Sequence, residues 1–337
     1  MQEHNRDMFP AADVCELYAS LAPLIANPVI DPVFDENEAE AVAAKRIYHR
    51  WGRRAVYMVL AGAIYTVAEA LVIPEFEWRT LASVVAILLG GAGVGIQLWL
   101  ISTRVKQRWL LARFAAERLR SLKFQAYPLA IDAPDTAALE QAVDAFSRAR
   151  LAELRSELNA GEASIDLFTA ELGIKGCVPA RAVTPGPLAD TAMRAYSALR
   201  TDYQRRFASA ELIKLRERGR FVESMADMLF LFGAILTVVS LLLKILPSVG
   251  PAWSAWIDFI AVAAFIFGLA KTILDEATID ETSRRRYEHY VHSLDTTEAA
   301  LSGDGVDFAE NVRRVERIAM DELDQFSRSA IRISYRI

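Results

Sequence analysis

The sequence has little of what staples or metallates a small fold: 2 cysteines and 4 histidines among 337 residues. Cys15 and Cys177 stand far apart, which excludes a disulfide framework and a zinc ligand set and suits a reducing compartment. Residues 1–30 have no basic stretch leading into an apolar core and carry Glu3, Asp7, Asp13 and Glu16 instead, so no signal peptide is expected. Catalytic signatures are missing too. There is no nucleophile elbow, H-E-x-x-H, P-loop or paired-cysteine motif, and so no enzymatic role, cofactor or metal is expected. His289 and His292 lie near Asp295, at a spacing that matches no firm metal signature. The net charge of -5 is modest and the basic residues are clustered, which gives no indication of a nucleic-acid partner.

What is abundant is apolar: 53% of residues are hydrophobic and the mean hydropathy is +0.19. Four segments reach the roughly 20 apolar residues that a bilayer core of about 30 Å requires. They are 55–73, 81–101, 225–245 and 253–274. The second is nearly free of polar groups, which a soluble core helix of that length rarely is. Basic residues set the direction, because positive charge near span ends stays on the cytoplasmic side. Lys45, Arg46, Arg50, Arg53 and Arg54 precede the first span; Arg104, Lys106, Arg108 and Arg113 follow the second. Lys214, Arg216, Arg218 and Arg220 precede the third, and Arg284, Arg285 and Arg286 follow the fourth. The two short connections hold only Arg79 between them, so both termini and the middle region are expected in the cytoplasm. Trp78, Trp253 and Trp256 fall where an interfacial belt belongs. GGAGVG in the second span follows no strand and lacks the dinucleotide spacing. Gly91 and Gly95 read instead as a G-x-x-x-G packing face, with Ala264 and Gly268 as its counterpart in the fourth span.

The layout helix, span, short loop, span, helix occurs twice with the same direction, as a parallel repeat about an axis along the membrane normal. The helix leaving the first hairpin gathers Trp109, Arg113, Glu117, Arg120, Phe124 and Tyr127 on one face. The helix entering the second gathers Tyr196, Arg200, Tyr203 and Phe207. These stripes are expected to meet in a partly dry seam in which Arg113 and Arg120 pair with Glu117; plain intrahelical pairing is the alternative. The fold class expected is all-α: an integral membrane protein with four transmembrane helices in two hairpins, whose long helices extend into a cytoplasmic helical layer. Its parts are an N-terminal segment (1–40), a first unit (41–127), a helical insert (128–192), a second unit (193–302) and a C-terminal helix (303–337). Within the insert, 135–160 reads as one helix, 163–174 as a short one, and 175–190 as a proline-punctuated loop, serving as a spacer or a sensor.

The entering pattern Tyr196, Arg200, Gln204, Phe207, Ala210 and the leaving pattern Trp109, Arg113, Ala116, Glu117, Leu119, Tyr127 resemble the SLATT superfamily, two-span effector domains associated with nucleotide-sensing conflict systems. The chain departs from the simple pattern in having two hairpins and a long insert, and the second leaving helix lacks the Trp. The resemblance implies a membrane effector that breaches the inner membrane of an infected cell. It also implies a lipid bilayer, a homo-oligomer, and a nucleotide second messenger or cytosolic sensor protein as partners. The residues alone leave open a regulated channel or transporter and a membrane anchor that recruits cytosolic proteins. Ionisable groups at membrane depth are functional candidates. Asp227 with Lys271 and Lys244 with Asp258 are expected to pair, or the lysines to snorkel from helix ends. Glu69, with no obvious partner, is the first candidate to line a pore or face a neighbouring subunit.

Overall fold

The computed structural model describes residues 5–71, 78–161, 186–245, 251–276, 280–301 and 307–332, and these are helical apart from short turns. The short helix expected at 163–174 and most of the 175–190 loop lie outside them. The helices are α1 (Ala12–Leu17), α2 (Ala22–Ile25), α3 (Asp31–Leu71), α4 (Trp78–Ser102), α5 (Val105–Gln125), α6 (Leu129–Asp132), α7 (Thr136–Gly161), α8 (Ala189–Tyr196), α9 (Asp202–Ile245), α10 (Pro251–Glu276), α11 (Asp280–Leu301) and α12 (Phe308–Arg332). A π turn, Ser197–Thr201, joins α8 to α9. The chain divides into two units, one of residues 1–43, 108–214 and 282–330 and the other of 44–107, 215–281 and 331–337.

In the first unit α5 is buried nearly all round, as a helix with aromatics on one stripe and aliphatics on another must be. Met8, Leu21, Leu24, Phe34, Leu139, Leu154, Tyr196, Leu294 and Val312 share its core. Local chemistry fixes the ends of the surrounding helices. Asn27 Oδ1 accepts from the N–H groups of Val29 and Ile30, both at 3.0 Å, just ahead of α3. Its Nδ2 donates to Ser147 Oγ of α7 at 2.8 Å, tying the two elements together. Asp135 caps α7 by accepting from the Ala138 N–H at 2.8 Å, after the Pro134 break. Gly186 lets the chain pass against α6: a Cβ there would stand 2.8 Å from Ile131 O and 2.9 Å from Ala133 O.

In the second unit two hairpin-like pairs of helices turn apolar side chains outward. Ile87 is 72% exposed, Leu98 62%, Leu231 62% and Trp253 70%. Two helices among the described residues are long and apolar enough to cross a membrane, Asp31–Leu71 and Thr80–Ser102, with mean hydropathy 1.3 and 2.2. The third and fourth expected spans lie within α9 and α10, some of whose side chains are outside the described ones; there Met228–Leu242 is a shorter apolar helix.

Buried positions of α3 recur every seventh residue, at Phe34, Ala41, Tyr48 and Ala55, which keeps one seam facing its partners. Where that seam reaches α4, the helices touch through glycines. A Cβ on Gly62 would meet Ala86 O at 2.9 Å, and one on Gly93 would meet Ala55 O at 2.9 Å. This corrects the expected packing face within the hairpin. Gly91 and Gly95 lie on the far side of α4, where an added Cβ meets nothing within 4 Å, because positions two residues from Gly93 turn by about 200°. Ala264 and Gly268 do face inward: Ala264 is buried, and a Cβ on Gly268 would lie 3.2 Å from the Phe230 ring. Gly62→Val should therefore loosen the hairpin by about 1–3 kcal/mol through overpacking. Gly91→Ala should leave stability unchanged or raise it by up to about 1 kcal/mol through helix propensity. Unfolding of the purified protein in mixed micelles would show both.

Candidate functional site

The described polar groups concentrate in the first unit, where charged side chains are buried in mutual contact. The π turn inserts an extra residue before α9, and Leu199, Arg200 and Thr201 are buried in succession. Arg200 Nε and Nη2 donate to the two carboxylate oxygens of Glu316 on α12, at 2.8 and 2.7 Å. The Tyr196 hydroxyl donates to Glu316 Oε1 at 3.3 Å. The guanidinium sits 5.0 Å from the centroid of Phe124. Phe124 stacks on Tyr127 at 5.5 Å, and Tyr196 stands edge-on to both, at 6.0 and 5.7 Å.

A second knot ties α5 to the N-terminal segment. Arg120 Nη1 donates to both oxygens of Glu117 at 2.8 Å, and Nη2 donates to Asn5 Oδ1 at 2.6 Å. Its Nε lies 3.2 Å from Asp7 Oδ2. That oxygen also accepts from Gln204 Nε2 at 3.1 Å and lies 3.9 Å from Arg200. Arg113 bridges Glu117 to Glu38 of α3, the latter at 3.2 Å. One turn further along α5, Lys123 Nζ donates to Met8 O and Ile25 O, each at 2.7 Å, and to Asp31 Oδ1 at 2.8 Å.

The structure thus brings Phe124, Tyr127, Tyr196 and Arg200 together, and joins Arg113, Glu117 and Arg120 to one another. It places Trp109 elsewhere, edge-on to Phe326 of α12 at 6.0 Å, and Phe207 beside Tyr287 at 6.4 Å. Tyr203 is partly buried; burial and the nearby Asp7 push its phenol up. Sequence reasoning missed Asp7, Asp31, Glu38, Lys123 and Glu316. Glu316 carried a readable signal, a carboxylate within the apolar stripe Val312, Val315, Ala319, Met320 of an amphipathic helix. Asp7 carried none, since its segment has no periodicity to depart from.

Charges govern the titration of this core. Burial works to raise the Glu117 carboxyl, but Arg113, Arg120 and Arg200 outweigh it and hold it at about 2, against an ordinary 4.5. A depressed carboxylate contributes stability above its unfolded value, and that contribution is lost as the pH falls through the folded one. Its loss between pH 4.5 and about 2 should cost on the order of 3 kcal/mol. Acid melting reads this share: Glu117→Gln lacks that titration, so its stability, lower at neutral pH for want of the ion pairs, should fall less between those pH values than the parent's. Burial moves Lys123 down and Asp31 up, each against the attraction of the other. These charged groups hold the surrounding helices to one another.

Of the ionisable groups expected at membrane depth, Glu69 is partly buried and is not without a partner, which corrects its expected isolation. Asp258 accepts from Ser240 Oγ across the second pair of helices. Lys271 is partly buried and engaged. The side chains of Asp227 and Lys244 lie outside the described residues, and with them both expected pairs.

Apolar helices that turn large side chains outward, two of them long and apolar enough to cross a bilayer, suit a helical membrane protein. Residues 31–174 match the family model SLATT_3, described as SMODS and SLOG-associating 2TM effector domain 3. That stretch, which holds both helices of the first hairpin, is similar to the SLATT two-span effector domains. The match does not extend over 193–302. No curated protein and no solved structure matches the chain significantly.

Proposed function

We propose that the chain is a membrane effector of a prokaryotic nucleotide-signalled or antiphage conflict system and permeabilises the inner membrane on activation. One observation carries this reading: a two-span effector-domain match lies over a hairpin whose apolar side chains point away from the protein. On this reading 225–245 and 253–274 form a second hairpin by duplication of the first, both termini are cytoplasmic, and the chain acts as an oligomer. The first unit is the cytoplasmic layer. Its ion-paired core holds one arrangement of α5, α9 and α12 until a nucleotide or sensor protein favours another, and a few kcal/mol of differential binding suffices for that shift. Glu69, Asp227, Lys244, Asp258 and Lys271 are the candidates to line a path through the spans. The chain performs no chemistry of its own.

Expression in cells carrying a voltage-sensitive dye tests the proposal. Signal-dependent depolarisation with growth arrest supports it. Conductance tolerated by growing cells would make the chain a channel or transporter, and electrical silence would leave an anchor. Reporter fusions at residues 75 and 248 and at both ends test the four-span topology; an externally active end would overturn it.

A further inference from the structure

Arginine is used in two opposite ways in this protein. In the first unit the guanidinium groups of Arg113, Arg118, Arg120, Arg200 and Arg286 each meet a carboxylate. In the second unit, residues 44–68 and 80–107 contain no Asp or Glu at all. The first of these stretches holds Arg46, Arg50, Arg53 and Arg54, all exposed, where α3 becomes apolar. At about 100° per residue these four fall on one face of the helix, opposite the seam of Ala44, Tyr48 and Ala55. Trp51 packs edge-on against Trp99 of α4, ring centroids 6.0 Å apart, so this level of α3 lies beside the end of α4. The Arg54 guanidinium covers the Trp51 ring at 4.7 Å.

Another arginine stands at the same end of the hairpin at a conformational cost. Helix α4 stops as Ser102 and Thr103 turn their hydroxyls back to Trp99 O, at 3.0 and 2.7 Å. Arg104 follows with φ 51°, the left-handed conformation that helix ends normally give to glycine or asparagine. It is exposed, so packing does not account for an arginine there. The collar therefore combines forked cationic donors, the absence of a nearby acid in sequence, and aromatic rings of the kind found at bilayer interfaces.

We propose that Arg50, Arg53, Arg54 and Arg104, with Trp51 and Trp99 beside them, form a seat for the headgroup phosphates of anionic phospholipids. This rests on the membrane reading given above and adds lipid selectivity to it. Arginine suits the role better than lysine because its planar fork binds two phosphate oxygens at once. Zwitterionic headgroups meet the same donors but bring a cation to an already positive collar.

The test uses the full chain reconstituted into nanodiscs of phosphatidylcholine with phosphatidylglycerol, with retained lipid counted by native mass spectrometry. Phosphatidylglycerol should be enriched over the bulk mixture, by about fivefold for each arginine engaged, and less so at high salt. The variant Arg50→Gln/Arg53→Gln/Arg54→Gln should bring the ratio near that of the bulk, whereas Arg148→Gln should leave it unchanged. Arg104→Gly relieves the backbone, so its thermal stability should hold or rise while enrichment falls. Enrichment that survives neutralisation overturns the proposal, as does displacement of the lipid by soluble polyphosphate regardless of bilayer composition. Failure of the chain to enter any bilayer would sink the membrane reading itself, a result distinct from incorporation without lipid preference.

Discussion

Arg200→Leu is expected to destabilise the chain by about 3–5 kcal/mol, the usual cost of leaving one member of a buried ion pair unpaired. The pair meets that description: the two side chains are 2% and 0% exposed, with a 2.7 Å contact. Deleting the cation strands the Glu316 carboxylate in an apolar stripe and leaves Asp7 to Arg120 and Gln204. Glu316→Leu should cost as much, since it strands the guanidinium instead. The double variant, Arg200→Leu with Glu316→Leu, should recover most of the loss, because neither charge then needs to leave water. Arg200→Lys should not rescue, as an ammonium cannot span both carboxylate oxygens while lying flat over Phe124. Unfolding in detergent followed by circular dichroism reads all four. A double variant no more stable than either single one would mean that the pair is not the unit that matters.

Why this pair escaped the sequence while its surroundings did not has a physical explanation. The stripe Trp109 to Tyr127 was legible because helical period places those residues on one face whatever they touch. Its meeting with Tyr196 followed from the expectation that two aromatic stripes bury each other. The partner helix α12 was legible as a helix, but not as the element that supplies Trp109 with Phe326 and Arg200 with Glu316. Contacts across 116 positions depend on how the chain returns, and periodicity carries no such information. The glycine faces repeat the lesson within one helix. G-x-x-x-G at Gly91 and Gly95 is a statement about spacing, whereas the close approach at Gly62 and Gly93 is a statement about which side faces the neighbour. Composition, by contrast, read the two apolar helices of the first hairpin, because the bilayer requirement is length and hydropathy and not a partner.

Lys123→Met should be comparably severe, again about 3–5 kcal/mol, and should also loosen the N-terminal segment. The ammonium has three donors and the fold supplies three acceptors, Met8 O, Ile25 O and Asp31 Oδ1, all within 2.8 Å. Methionine matches the stem but orphans two carbonyl groups and a carboxylate at once. Phe9, 5.9 Å from the ammonium, loses its cation as well. Asp7 still ties the first described residues to α5 through Arg120. Hydrogen exchange at residues 5–9 and 24–31 should accelerate far more than at α7, and Lys123→Arg should behave like the methionine variant, since a rigid fork cannot serve three acceptors arranged around a point. On the proposed function the same variant carries a cellular consequence. If the ion-paired core holds the resting arrangement, Lys123→Met should depolarise cells with less signal than the parent requires, or with none. A variant loosened at residues 5–9 yet fully dependent on the signal would show that the N-terminal segment fastens the helical unit without restraining its activation.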